Sequence, residues 1–195
     1  MDYVGPTRFS LSDLRNGKNE AWSAVVYELA GPLRAFISVR GANDVDGTLG
    51  DVFLDMSRNI GGFEGSWSDL RSWSFTIARR RVIDDHRHFR RRPAEPVDPA
   101  RLGWFDHLTG DSEEEAMGSL GTDYLLRLVK RLTPIQREVI FLRFFLALSA
   151  PEVASITGST VTAVRANQRR AIHKLQQLIR STDDFAGPML VDVSR

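Results

Sequence analysis

The segment "APEVASITGSTVTAVRANQRR", residues 150–170, restricts the fold more than any other part of this 195-residue chain. It places a small residue, Ala154, four positions before Gly158, and a branched apolar residue, Val164, six positions after it. A small side chain lets a second helix cross close to the first. Glycine takes the left-handed turn between them, and a buried valine anchors the second helix. The spacing therefore predicts two helices crossing at a steep angle, a helix-turn-helix. Ser149, with Glu152 three residues on, is a capping box that starts the first helix. The second helix, from about Thr160 to Arg180, presents Thr160, Thr162, Arg165, Arg169 and Arg170, residue types that reach base edges and phosphates. The alternative is a plain helical hairpin with a solvated basic face.

The rest of the chain also reads as helical. In "NEAWSAVVYELAGPLRAFISVRG", Trp22, Val25, Val26 and Leu29 recur at helical intervals, and Leu33, Phe36 and Ile37 follow after Pro32 restarts or kinks the helix. Leu49, Val52, Phe53 and Met56 share one face of "VDGTLGDVFLDMSRNI". "GGFEGSWSD" reads as a loop. A third long helix, "LRSWSFTIARRRVIDDHRHFRR", carries a stripe of Trp73, Ile77, Ala78, Val82 and Phe89. Thr133 and Pro134 open a further helix as N-cap and first helical residue. No segment alternates with period two for long enough to predict a strand. The expected fold is all-α, with two small helical domains at residues 10–93 and 122–181. A proline-, glycine- and acid-rich linker, residues 94–121, joins them, and residues 182–195 form a tail.

The net charge of +1 conceals a pattern. Residues 1–93 hold 14 basic and 12 acidic side chains, residues 94–121 hold 1 and 7, and residues 122–182 hold 10 and 3. Two basic-leaning blocks thus flank an acidic one. The chain has no cysteine, which excludes disulfides and cysteine-ligated zinc. "MDYVGPTRFSLSDLRNGK" lacks a basic region followed by an apolar run, so no secretion signal is expected. "VIFLRFFLALSA" is too short, and with Arg143 too charged, to span a bilayer. A cytoplasmic protein without membrane attachment is the expectation.

"SFTIARRRVIDDHRHFRRRP" crowds seven arginines into residues 74–93. It can be a solvated helix face, a metal site on "DDHRH", or a surface for nucleic acid. The metal reading fares poorly, because His86 and His88, two apart on a helix, point about 200° from each other. Asp84 and Asp85 read as partners of neighbouring arginines. No glycine-rich phosphate loop or catalytic triad supports an enzyme, and no cofactor is expected.

"LTPIQREVIFLRFFLALSAPEVASITGSTVTAVRANQRRAIHKLQQL" resembles the domain of bacterial extracytoplasmic-function sigma factors that binds the promoter −35 element. "DVDGTLGDVFLDMSRNIGGFEGSWSDLRSWSFTIARRRVIDDHRH" resembles the domain of the same family that binds the polymerase core and the −10 element. The two lie in the family's order, over roughly residues 17–93 and 122–178. The resemblance implies a non-catalytic subunit that binds RNA polymerase core, reads −35 as duplex and opens −10, and that an anti-sigma factor holds in check. It implies a −35 set of Thr160, Thr162, Ala163, Arg165, Ala166, Arg169 and Arg170. Its −10 set is Trp67, Trp73, Arg79, Arg80, Arg87, Arg90 and Arg91, with Trp67 in a base-capturing loop and Trp73 equally readable as core. Asp44, Asp46 and Asp51 match acidic positions that dock on the polymerase.

Several positions depart from the family pattern. Gly50–Asp51 replaces a glutamine–glutamate pair, and Gly47 replaces an acid. Thr157 and Ser159 replace apolar residues beside the turn glycine, and Asn167–Gln168 replaces arginine–leucine. Val153, Ile156, Val164, Ile172 and Leu175 should still hold the fold. The linker's 28 residues can reach about 90 Å at ~3.3 Å each, enough for two elements about 70 Å apart. It can act as a nucleic-acid mimic or as a plain acidic spacer. Two rivals remain: a self-sufficient regulator using the helix-turn-helix alone, and a metal-dependent enzyme around Asp84, Asp85, His86 and His88.

Overall fold

The computed structural model describes residues 9–90 and 128–183; the expected linker, and the tail from residue 184, lie outside them. Every regular element among the described residues is helical. The first set comprises α1 (Leu11–Arg15), α2 (Asn19–Val39), α3 (Val45–Asn59) and α4 (Trp67–Arg90). The second comprises α5 (Pro134–Ile140), a π-helical turn (Phe141–Phe145), α6 (Ala150–Thr157) and α7 (Val161–Asp183).

The caps follow from local chemistry. Thr133 and Gln136 cap α5 reciprocally, as Ser149 and Glu152 cap α6, so side chains satisfy amide groups that a helix start leaves open. The α2 helix runs through Pro32 as one element. "VIFLRFFLAL" does not continue α5: the chain widens into the π turn, and Ala147 takes φ 53°, which ends the run.

In the first set, α2, α3 and α4 pack on one another through Leu29, Leu33, Val52, Met56, Leu70 and Ala78, all buried. The second set is not separate. Phe141, Leu142, Val153 and Ile156 belong to the same continuous core, where α2 meets α5 and α4 meets α6. Phe36 sits at the joint. Its ring meets Phe75 edge-on, with centroids 5.3 Å apart, and Phe141 at 5.9 Å. Such pairs contribute about 0.5–1.5 kcal/mol beyond burial. A smaller cluster of Leu132, Ile140 and Ala171, with Ile172 and Leu175, holds α7 against α5.

A charged group crosses the same joint. Glu138 on α5 is fully buried and accepts hydrogen bonds from Arg40, at the end of α2 (2.7 Å), and from Arg79 on α4 (3.0 Å). Burial pushes its carboxyl above the ordinary range, and the two guanidinium groups pull against that shift.

Two outcomes follow from this packing. Phe75→Ala empties the centre of the joint and should cost about 3–5 kcal/mol, read as a lower midpoint in urea unfolding. Gly158 has φ 62°, and a Cβ there would meet nothing within 4 Å. Gly158→Ala should therefore lose only the backbone term, about 1–2 kcal/mol. Gly158→Asn should lose less, because asparagine tolerates this conformation; thermal unfolding of both variants checks this.

Candidate nucleic-acid interface

Helices α6 and α7 meet around Gly158, whose left-handed turn ends α6 and whose amide donates back to the Ser155 carbonyl. Ala154 and Val164 lie buried at the crossing, and Val153 and Ile156 are buried beneath it. The polar departures beside the glycine satisfy each other. The Thr157 hydroxyl bonds the Val153 carbonyl and shares a 2.7 Å contact with the Ser159 hydroxyl. A buried hydroxyl therefore replaces an apolar side chain without being left unpaired.

The −35 candidates lie along the start of α7. Thr160, Thr162, Arg165, Arg169 and Arg170 are exposed, while Ala163 and Ala166 are half-buried. The Thr160 hydroxyl accepts from the Ala163 amide at 3.1 Å, so it also caps the helix. Arg170 donates to Asn167 at 3.2 Å. An open basic cleft beside them is lined by Arg143, Arg165, Gln168, Arg169 and His173. In the sequence Arg143 counts only against a membrane span. It donates to Gln168 at 3.1 Å and to the Leu148 carbonyl, tying the π turn to α7 and fixing one wall of the cleft. The only sequence signal for it is a lone arginine in an apolar run.

The second candidate surface begins at the start of α4. Ser66 and Asp69 cap each other, at 2.8 Å for Ser66 N to Asp69 Oδ2, which makes Trp67 the first residue of the helix rather than part of the loop. Gly65 has no room for a side chain: a Cβ would lie 2.8 Å from the Asp69 Cβ. Trp67 is half-buried against the core. Trp73 stacks on Phe63, with centroids 5.1 Å apart. Ser68 contacts Glu152 of α6 at 3.4 Å, so the first helix of the helix-turn-helix stands against the start of α4.

Along α4 the arginines divide. Arg80 and Arg87 are exposed, and Arg87 reaches Asp84 at 3.4 Å. Arg79 is directed into the joint, at Glu138. Arg81 pairs with Asp55 and Asp51, and its hydrogen bond to Asp55 raises its pKa above the ordinary value. Arg90 ends α4, and Arg91 lies outside the described residues. Asp85 does not pair with an arginine but accepts from the Asn43 amide (2.9 Å) and side chain (3.0 Å), fixing the turn before α3.

The three acidic candidates lie at the exposed start of α3. Asp44 caps the helix through the Gly47 amide at 2.9 Å, Asp46 pairs with Arg34, and Asp51 reaches Arg81 at 3.4 Å. A Cβ at Gly47 would press on the Asp44 carboxylate, which gives the glycine a local reason. His86 bonds the Gly41 carbonyl at 2.7 Å, and no group of three potential metal ligands occurs among the described residues. No helix there is long and apolar enough to cross a membrane.

Residues 122–175 match the family described as Sigma-70, region 4. The chain is 31% identical over 144 residues to the "ECF RNA polymerase sigma factor BldN" of Streptomyces coelicolor, covering 74% of this chain and 54% of that protein. It is 28% identical over 167 residues to the "ECF RNA polymerase sigma factor RpoE" of Cereibacter sphaeroides, covering 84% and 90%. It spans about half the length of BldN and, at 52%, of the SigD proteins of Mycobacterium. The fold is similar to that of CnrH, solved in complex with the cytosolic domain of CnrY (TM-score 0.62, 22% identity, 88% of this chain and 95% of that one). It is also similar to the sigma factor RpoE of Bartonella quintana, solved with the anti-sigma factor NepR (TM-score 0.58, 20% identity, 81% and 96%). The chain is thus similar to ECF sigma factors over most of its length, and its helix-turn-helix lies within the segment matched to Sigma-70, region 4.

Proposed function

We propose that the chain is a promoter-specificity subunit of RNA polymerase without catalysis of its own, acting in the cytoplasm. Residues 10–93 bind the core enzyme and the −10 element, 122–181 read −35, and the acidic segment 94–121 spans between them. The observation that carries this reading is the crossing at Gly158, with Ala154 and Val164 buried, which leaves Thr162, Arg165 and Arg169 exposed beside a basic cleft. A helix so presented suits the major groove, where arginine reads guanine and a threonine hydroxyl can donate to or accept from a base edge. Arg143, Arg169 and Arg170 supply phosphate contacts that set orientation rather than sequence.

The −10 role rests on α4. Arg80 and Arg87 meet phosphates from its exposed face, and the capped turn at Gly65–Trp67 holds an aromatic ring where an unstacked base can lie against it. Base–aromatic stacking is worth about 1–3 kcal/mol per base. Asp44, Asp46 and Asp51 at the start of α3 offer the polymerase an acidic edge. CnrH and the Bartonella quintana RpoE were solved in complex with CnrY and NepR, and a protein partner of that kind is proposed here too.

Transcription in vitro with core polymerase on a promoter library tests the reading. Specific transcripts should require this chain. Nanomolar, sequence-specific DNA binding without core would instead favour a self-sufficient regulator. On a promoter so identified, Arg165→Ala should cost about 1–3 kcal/mol in discrimination at one −35 base pair, if that contact is bidentate to guanine. An unchanged base preference would remove Arg165 from the reading set.

A further inference from the structure

Asn167 and Gln168 of α7, two of the departures from the sigma-factor pattern, each hold an arginine. Arg143, on the π turn, donates through Nε to the Gln168 side-chain oxygen at 3.1 Å and through a second nitrogen to the Leu148 carbonyl. A guanidinium carries several N–H donors in a planar fork, and those not so engaged remain for a ligand in the cleft that Arg143 lines with Arg165 and Arg169. Arg170 donates to the Asn167 side-chain oxygen at 3.2 Å, and the Asn167 nitrogen is itself anchored on the Ala163 carbonyl at 3.0 Å. Both tethers are neutral amides. Arg81, by contrast, is held by the carboxylates of Asp51 and Asp55, which compete with any other anion. An amide fixes the direction of a guanidinium and leaves its full charge for phosphate.

The two held arginines lie on opposite sides of the reading face. At about 100° per residue, Gln168 falls about 90° to one side of the centre of Thr162, Arg165 and Arg169, and Arg170 about 110° to the other. A helix in the major groove has a sugar–phosphate backbone along each flank. We propose that Asn167 and Gln168 are positioning residues for the −35 duplex: they hold Arg170 and Arg143 in advance on the two flanks of α7, each directed at one of the backbones that border the groove. This rests on the proposed role of α7 in −35 binding. Neither residue reads a base. Arginine only donates, so the Gln168 oxygen is committed to Arg143, and adenine recognition needs that acceptor together with the amide nitrogen. Both polar atoms of the Asn167 side chain are engaged within the protein. An arginine already held loses less rotamer freedom when phosphate arrives, so the contact is tighter at equal charge.

Titrating the full-length protein against a fluorescent random-sequence DNA duplex measures phosphate contact without base reading. Asn167→Ala and Gln168→Leu change no charge and should each weaken binding about two- to tenfold, the cost of ordering one released arginine. The dependence of affinity on salt should stay as it is, because the arginine is still present. Arg143→Gln and Arg170→Gln should each lower that dependence by about one in log–log slope. In Arg143→Gln, adding Gln168→Leu should cost nothing further, and in Arg170→Gln neither should Asn167→Ala; losses from the two different tethers should add. Each tether is tested on its own, so if one variant fails to fold, as judged by circular dichroism, the other remains decisive. Unchanged affinity in the folded single variants would overturn the positioning role. Losses that persist once the matching arginine is gone would overturn it too, since the side chains would then act through the fold alone. So would a changed −35 base preference of holoenzyme carrying Gln168→Leu, which would make Gln168 a reader. Absence of core-dependent transcription would sink the function proposed above, while the titrations on random-sequence duplex would stand or fall separately.

Discussion

The structure depends on one buried carboxylate. Glu138 reaches out of α5 and is held by Arg40 and Arg79, on two helices 98 and 59 residues away in sequence. An ion pair in such a place adds little net stability, because desolvating three charged groups offsets most of their attraction. Its effect is on specificity. Of the many ways two apolar helix pairs can slide over each other, only those that satisfy Glu138 avoid an uncompensated buried charge. Phe36, Phe75 and Phe141 supply the apolar surface of the joint, and Glu138 sets its register.

Much of the second helical set was legible in the sequence, because its determinants are local. Ser149 and Glu152 act within one turn, as do Thr133 and Pro134. Gly158 must be a left-handed residue wherever the rest of the molecule lies. The first set was legible as helices, and Leu33, Phe36, Val52 and Met56 fell on its buried faces. Val26, counted with them, is exposed, since a stripe does not say how wide the covered face is. The start of α4 was placed too late, because the serine–aspartate cap at Ser66 and Asp69 lay inside what reads as a glycine- and serine-rich loop.

What the sequence did not show is the union of the two sets. In "TPIQREVIF" the glutamate at position 138 reads as a solvated helix residue, and nothing within its own helix contradicts that. Only the arrival of Arg40 and Arg79 from elsewhere in the chain makes it a core residue. The same holds for Asp85, whose partner is the turn at Asn43 rather than a nearby arginine, and for Arg143, whose partners Leu148 and Gln168 become neighbours only once the π turn is folded. Contacts between distant segments carry no periodicity, so pattern alone does not reveal them.

Whether the two sets behave as one body can be measured directly by unfolding the protein in urea with two probes. In a Trp104→Phe variant, tryptophan fluorescence follows the first set, where Trp22, Trp67 and Trp73 pack against the core, while far-ultraviolet circular dichroism follows the helices of both. A shared core with a buried charge at its centre predicts coincident transitions with one midpoint. A fluorescence midpoint clearly separate from the dichroism midpoint would contradict it, because the two sets would then unfold as independent units and the contact at Glu138 would not join them.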